Sequence, residues 1–449
     1  MGVPGELHGY ATAHQAFGVL PWATLWRPSI ALARNGFRVS KVFHAVLRPM
    51  AEFFTANRPD WEFLFSAKTD RLVGIGEMVY RPNFAETLDT IAGDSVDEYA
   101  GVRNFYNGSI AEKIVAAVQA SGGIITLDDL RRYYTAVEPT ITTTFNNRTI
   151  HTCAAPCSGP SLLFALNIAE HLELPHTPAS AHLVVEAMKH LSASRTELGD
   201  PTSHASRKNA YNASLLLSPL HGAAVAATIH PNHTEPWQHY NPRYLPNSPA
   251  GTSHISVLDA QGNAASLTTT INLYFGSLHP DPETGIIFNS QMDDFSVPGR
   301  DNAFDLRPSK FNLVGPGLRP LSSSTPTIVT ANDTLELVIG GSGGSRIVTA
   351  VFEGLVKRLK WGTGKVEMVR DGRMHHQLLP EEVMVEGSVR RDVVRALKER
   401  GHTVRVRAKG EAGGSVLHVV GVDDAEEGKG RAVWGVADWW RKGGKAWGY

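Results

Sequence analysis

The chain has 449 residues, 42% hydrophobic and 19% charged, the balance of a folded globular protein rather than a disordered one. Lys plus Arg (43) nearly cancels Asp plus Glu (44), so no basic surplus exists to recruit nucleic acid or an acidic membrane surface. No apolar run approaches the roughly 20 residues of a membrane helix. The opening "MGVPGELHGY" lacks the basic start and apolar core of a signal peptide, and Glu6 stands where myristoylation needs Ser or Thr. Read literally, the chain is expected to be soluble and untargeted.

In chain order, the first half reads as mainly helical. "SIAEKIVAAVQASGG" (Ser109 to Gly123) has a Ser start, helical apolar spacing and a Gly-Gly stop. "TLDDLRRYY" follows a Thr126 cap. "GPSLLFALNIAEHL" and "AHLVVEAMKHLSASRTEL" are expected as two more amphipathic helices. Cys153 and Cys157, in "HTCAAPCSG", have no second Cys or His pair at zinc spacing, so two small buried residues are preferred to a metal site, with a local disulfide left open. Five N-x-S/T sequons, at Asn107, Asn147, Asn212, Asn232 and Asn332, are mildly suggestive of a secreted glycoprotein.

After Gly251 the pattern changes. "TSHISVLDAQGNAASLTTT" alternates about a turn-rich centre and predicts a β-hairpin; "TPTIVTANDTLELVIGG" predicts a second, turning at Asn332 and Asp333. A helix, "SRIVTAVFEGLVKRLKW", follows. Near the end "SVRRDVVRALKERG" reads as helix, and "HTVRVRA" and "SVLHVVGVDD" as strands. No internal repeat or low-complexity tract occurs. Helices followed by mixed hairpins and helices predict sheets covered by helical layers.

The chemistry centres on "PAGTSHISV", where a polar loop enters the first hairpin. With the turn at Gln261, Thr252 and Thr270 face each other at the hairpin's open end. A β-branched cross-strand pair is the structural reading. The chemical reading is that the Gly251–Thr252 bond is cut. Thr252 would then carry an α-amino group, of ordinary pKa about 7.7–8.0, beside its own hydroxyl, so one residue supplies both nucleophile and base. Gly251 suits such a junction because it tolerates a strained turn. Ser253 points to the opposite strand face, and His254 reads as a structural histidine rather than a base.

A rival nucleophile is Ser342, in the formal G-x-S-x-G of Gly340-Gly341-Ser342-Gly343-Gly344, but the largely helical first half lacks the strand–helix repeats that an α/β-hydrolase elbow requires. Those glycines offer instead successive backbone N–H groups for an oxyanion. "FNSQMDDFSVPG" gathers Asn289, Ser290, Gln291, Asp293 and Asp294, and "RPLSSSTPT" places three serines before a strand. Both fit ordinary turns; together they also offer a carboxylate and amide for an amine, and hydroxyls for a carboxylate, as an amino-acid head group needs.

The stretches "TINLYFGS", "NSQMDDFS", "RPLSSSTPTIV" and "GGSGGSRI" resemble the small subunit of γ-glutamyltransferases, also called glutathione hydrolases. "VPGELHGYATAHQAFGVLPWATLWRPSIALARNGF", "FYNGSIAEKI", "GGIITLDDLRRY" and "RTELGDP" resemble their large subunit, and "HHQLLP" and "RKGGKAWGY" also fit, so the resemblance runs nearly end to end. It implies an α+β N-terminal-nucleophile hydrolase, a four-layer αββα sandwich in one intertwined catalytic domain. It also implies self-cleavage into a large-subunit region, residues 1–251, and a small-subunit region, 252–449. Thr252 would be the nucleophile and Thr270 its support. Asn272, Gln291 and Asp294 would hold the donor's α-amino group, Ser322 and Ser323 its α-carboxylate, and Gly343 and Gly344 the oxyanion. The donor would be glutathione or another γ-glutamyl compound and the acceptor an amino acid, peptide or water, with no metal or organic cofactor. The resemblance implies a secreted, vacuolar or membrane-anchored extracellular location.

One departure stands out. The family's large subunit usually carries roughly a hundred or more residues before "VPGE", including a signal or anchor and an arginine that clamps the donor carboxylate, a role for which a bidentate guanidinium is hard to replace. No later arginine here matches it. The sequence therefore leaves two alternatives open: an inactive truncated paralogue or gene-model fragment, and another amidase of the same fold, such as a β-lactam acylase.

Overall fold

The computed structural model describes residues 1–93, 97–244, 251–299, 307–407, 414–423 and 431–448. Most of the polar loop expected before Gly251, residues 245–250, lies outside the described residues, as does Tyr449. The chain forms two compact units, Met1–Val137 with Leu273–Gln291, and Glu138–Asn272 with Met292–Tyr449.

The first unit is helical. Its main helices are α1 (Glu6–Phe17), α2 (Trp22–Asn35), α3 (Pro82–Ala92), α4 (Ala100–Asn107) and α5 (Ser109–Ala120). Ile110, Ala111, Ile114, Val115 and Val118 recur at helical spacing on α5 and are buried beside Trp22, Ile30, Leu88 and Leu130. Each large side chain buried in this way stabilises the fold by about 1.5–3 kcal/mol. Thr126 caps the short helix Leu127–Arg131 with a reciprocal Asp129 contact, so the expected start is found although the helix stops earlier than "TLDDLRRYY". The segment 273–291 is held by the Thr87 hydroxyl donating to the Thr284 carbonyl at 2.7 Å and by Phe275 packing edge-on against Phe54 and Trp61.

The second unit contains β1 (Ile141–Phe145), β2 (Arg148–Thr152), α6 (Gly159–Glu170), α7 (Ser180–Arg195), β3 (Thr252–Leu258), β4 (Ala264–Thr270), β5 (Thr327–Ala331), β6 (Thr334–Ser342), α8 (Arg346–Leu355), β7 (Val416–Val422) and β8 (Val433–Ala437). Six strands form one antiparallel sheet in the order β8-β7-β6-β5-β2-β1. On one face Ile150, Val329, Leu337, Ile339, Leu417 and Val419 pack with Leu162, Leu166, Val351 and Phe352 of α6 and α8. At Gly354 of α8 an added Cβ would meet Leu417 and Ile339 at 3.1 and 3.2 Å, so the helix lies close on the sheet. The β3–β4 hairpin forms a further layer. His254 of β3 sits where a Cβ on Gly340 of β6 would be, and the Ser266 hydroxyl donates to the Ile339 carbonyl at 3.2 Å. The mixed α+β architecture, with its stacked sheets and helices, is the expected one.

Two local readings need correction. Asn146 and Asn147, both at positive φ, close a β1–β2 hairpin that the helical reading of the first half passed over; "NNR" between β-branched residues was its signal. The helices α6 and α7 are not amphipathic but buried almost all round. The polar groups of α7 are tolerated inside because they pair: Lys189 donates to Thr234 Oγ1 at 2.5 Å and Ser192 to the His376 carbonyl at 3.1 Å. The helix expected after β6 is present, α-helical over Arg346–Leu355 and continued over Val356–Lys360 as a wider π-type turn. No helix among the described residues is long and apolar enough to cross a membrane.

Candidate active site

The β3–β4 register is the expected one, with Thr252 opposite Thr270. The Thr270 hydroxyl donates its single proton to the Gly251 carbonyl at 2.7 Å. It accepts from the Thr252 hydroxyl at 3.3 Å and from the Asn272 backbone N–H at 2.9 Å. Thr252 therefore turns its proton towards Thr270, while the carbonyl just before it is polarised by the same group. Gly251 has φ +144°, which suits glycine. Asn272 is buried, also at positive φ, just past the end of β4.

His254 is held at both ring nitrogens, by Thr268 Oγ1 at 2.8 Å and Ser256 Oγ at 3.1 Å. Burial, reinforced by His418, depresses its pKa to about 3. It stays neutral and structural, as the sequence suggested.

A second group joins Asp294 to the serine segment. The Asn312 side chain donates to the Asp294 carbonyl at 2.7 Å and accepts from the Leu321 N–H at 2.8 Å. Ser322 Oγ donates to Ser324 Oγ at 2.9 Å. Ser323 and Thr325, one residue either side of Ser324, each bury a hydroxyl oxygen that has no hydrogen-bond partner among the described residues. Such an atom costs free energy while it lacks a partner. Arg319 fastens the segment from outside through Asp200, at 2.9 Å; burial raises the Asp200 pKa, but hydrogen bonds from Arg319 and Thr202 outweigh it and hold it at about 2.

The third group is the turn after β6. Gly343 has φ +129° and a Cβ on it would meet the Ser415 Cα at 2.8 Å, so that position requires glycine, while Gly344, at φ +65°, favours it. Behind the turn the Ser345 hydroxyl donates to Gln377 Oε1 at 2.8 Å, and His375 contacts that oxygen at 3.1 Å and Thr349 Oγ1 at 2.7 Å. His375 and Gln377 of the "HHQ" motif thus brace the glycine turn. Ser342 is buried at the end of β6, an antiparallel strand paired with β7, which is not the setting of a hydrolase elbow. Gln291 belongs to the first unit, where its N–H donates to Asn289 Oδ1 at 3.0 Å.

Among the described residues only His182, Glu186 and His402 cluster as metal ligands would. Their polar atoms are already engaged. His182 Nδ1 lies 2.8 Å from His402 Nε2, and its Nε2 lies 2.7 Å from the His230 carbonyl. Glu186 accepts from the Thr234 hydroxyl at 2.6 Å and the Tyr240 hydroxyl at 2.5 Å, with the Lys189 ammonium 3.8 Å away. This is a satisfied polar network. Cys153 and Cys157 are free thiols.

Sequence reasoning missed Ser158, Arg195 and Asn312 as supports of these groups. All three are buried. Arg195 opens the "RTELGDP" motif, which was the available signal.

Residues 1–448 of the chain match the sequence model of the family described as Gamma-glutamyltranspeptidase. Glutathione hydrolase proenzyme 1 of Schizosaccharomyces pombe is 41% identical over 413 residues, covering 90% of this chain and 64% of the relative. Glutathione hydrolase proenzyme of Escherichia coli is 33% identical over 433 residues, 95% of this chain and 72% of the relative. The chain thus spans somewhat under two thirds of the length of the fission-yeast relative. The crystal structure of cephalosporin acylase from Bacillus halodurans superposes with a TM-score of 0.79 at 21% identity, covering 97% of this chain and 77% of that one, a likeness of fold.

Proposed function

The chain belongs to the gamma-glutamyltranspeptidase family, and from that premise we propose that it is a γ-glutamyl acyl-transferase and hydrolase whose nucleophile is Thr252. The observation that carries the reading is the hydrogen-bonded set Thr252, Thr270 and Gly251. In the first stage Thr252 Oγ attacks the Gly251 carbonyl carbon. The Thr270 hydroxyl stabilises the charge that develops on the carbonyl oxygen, and the intermediate collapses by expelling the Thr252 nitrogen, which takes up the proton lost from Thr252 Oγ. An ester of Gly251 on Thr252 Oγ remains, and water hydrolyses it. The products are a large chain ending at Gly251 and a small chain, 252–449, starting with a free amine.

In the second stage that amine takes the proton of its own hydroxyl as Thr252 Oγ attacks the γ-amide carbonyl of the donor. The Gly343 and Gly344 N–H groups receive the oxyanion, each contributing about 2.7–4 kcal/mol to the transition state. The leaving amine takes the proton, and a γ-glutamyl ester stays on Thr252 until water or an acceptor amine releases it. The family resemblance assigns Asn272 and Asp294 to the donor's ammonium and Ser322 and Ser323 to its carboxylate. The unpartnered Ser323 hydroxyl supports that assignment. The relatives' names point to glutathione as donor.

The test is release of nitroaniline from γ-glutamyl-p-nitroanilide, with acid quenching to trap a γ-glutamyl adduct on the peptide that begins at Thr252. The expected result is turnover with that adduct. Turnover with the adduct on another residue would overturn the assignment.

A further inference from the structure

Arg195, the last residue of α7, is a buried cation in the second unit, and no step above uses it. Its Nε donates to Ser158 Oγ at 2.9 Å. Ser158 passes the contact on, donating from Oγ to the Ser322 carbonyl at 2.6 Å, while its own N–H donates to the Ser324 carbonyl at 3.1 Å. Arg195 thus reaches the backbone on both sides of Ser323 through one hydroxyl-bearing residue. Asp294 is the charged group that acts on it. Burial lowers the Arg195 pKa to about 10, and the Asp294 charge opposes that fall. Asn312 spans the same two segments with neutral hydrogen bonds. A buried guanidinium carries a large desolvation cost, so an arginine here needs a stronger reason than space-filling.

Resting on the reading of Asp294 and Ser322–Ser323 as the head-group site, we propose that Arg195 is a positioning residue that sets the spacing between the ammonium-binding carboxylate and the carboxylate-binding serines. It acts through Ser158 on the serine segment and through charge on Asp294, and selects donors that carry both groups of an α-amino acid. A lysine in its place keeps the charge but not the planar fork that fixes direction.

The experiment compares γ-glutamyl-p-nitroanilide with glutaryl-p-nitroanilide, which lacks the α-amino group, on wild type, Arg195→Lys and Ser158→Ala, with thermal unfolding and chain cleavage followed in parallel. Arg195→Lys should raise KM for the γ-glutamyl anilide by about tenfold or more, the worth of a charged hydrogen bond, with kcat little changed. It should raise KM for the glutaryl anilide less, so that discrimination falls. Ser158→Ala, which loosens only the serine segment, should raise both KM values together. Equal losses on both anilides in Arg195→Lys, or kcat losses at unchanged KM, would make Arg195 merely structural and overturn the inference. If Arg195→Lys does not fold, unchanged KM values in Ser158→Ala overturn it equally. A wild type that cleaves neither anilide refutes the underlying reading, and the inference falls with it.

Discussion

Replacing Thr270 by Val keeps the β-branched shape that strands favour and removes only the hydroxyl. Three contacts go with it: the bond to the Gly251 carbonyl at 2.7 Å, the bond accepted from the Asn272 N–H at 2.9 Å, and the longer one from Thr252 at 3.3 Å. An amide N–H left unsatisfied costs about 1–3 kcal/mol of stability. The larger effect is kinetic. In the proposed self-cleavage the Gly251 oxygen becomes the oxyanion, and loss of one preorganised donor to such a centre costs about 2.7–4 kcal/mol, or roughly 10²–10³ in rate. Thr270→Ser, which keeps the hydroxyl, should recover most of that rate. The assay is the appearance of the two chains from purified uncut protein, followed by gel and intact mass, with thermal unfolding as a check on folding. A folded Thr270→Val protein that is cut as fast as wild type would refute the role given to this hydroxyl.

Two further outcomes follow from burial. Ser323→Ala removes a buried hydroxyl with no partner among the described residues, so the free protein should be unchanged or up to about 1–3 kcal/mol more stable by chemical denaturation, while KM for a γ-glutamyl anilide rises about tenfold; a clear loss of stability would show that the hydroxyl serves the fold. His254, His375 and His402 are each held neutral by burial, with pKa values lowered to about 3. Above pH 6.5 they are neutral in folded and unfolded chains alike and their environment has no cost. As pH falls from 6.5 towards 3 the unfolded chain takes up protons that the native one refuses, so stability is lost by up to about 4 kcal/mol per pH unit for the three together. The melting temperature should therefore drop steeply between pH 6.5 and 5; a flat profile there would contradict their buried neutral state.

Part of the local geometry was legible because these residues lie where short-range pattern is strong. Alternation about "DAQGN" was enough to set Thr252 opposite Thr270, since facing residues of a hairpin sum to a constant. Positive φ at Gly343 and Gly344 follows from their glycines at a strand–helix turn. Long-range burial was not legible. Helix α7 looks amphipathic because Glu186, Lys189 and Arg195 are charged, yet each is inside, paired with groups up to about fifty residues away in the case of Thr234 and Glu186 or, through Ser158, with the serine segment. Periodicity reads one helix at a time and cannot see a partner of that kind. For the same reason Asn312, one side chain joining Asp294 to Leu321, carried no signal of its own. The compact units also break at residues 137, 272 and 291, whereas the proposed covalent cut falls at 251, within the second unit.

The most direct test is the intact mass of the purified protein beside that of Thr252→Ala. The account predicts two chains for wild type, the smaller beginning at Thr252, and one uncut chain for the variant. A Thr252→Ala protein cut at the same bond would contradict it.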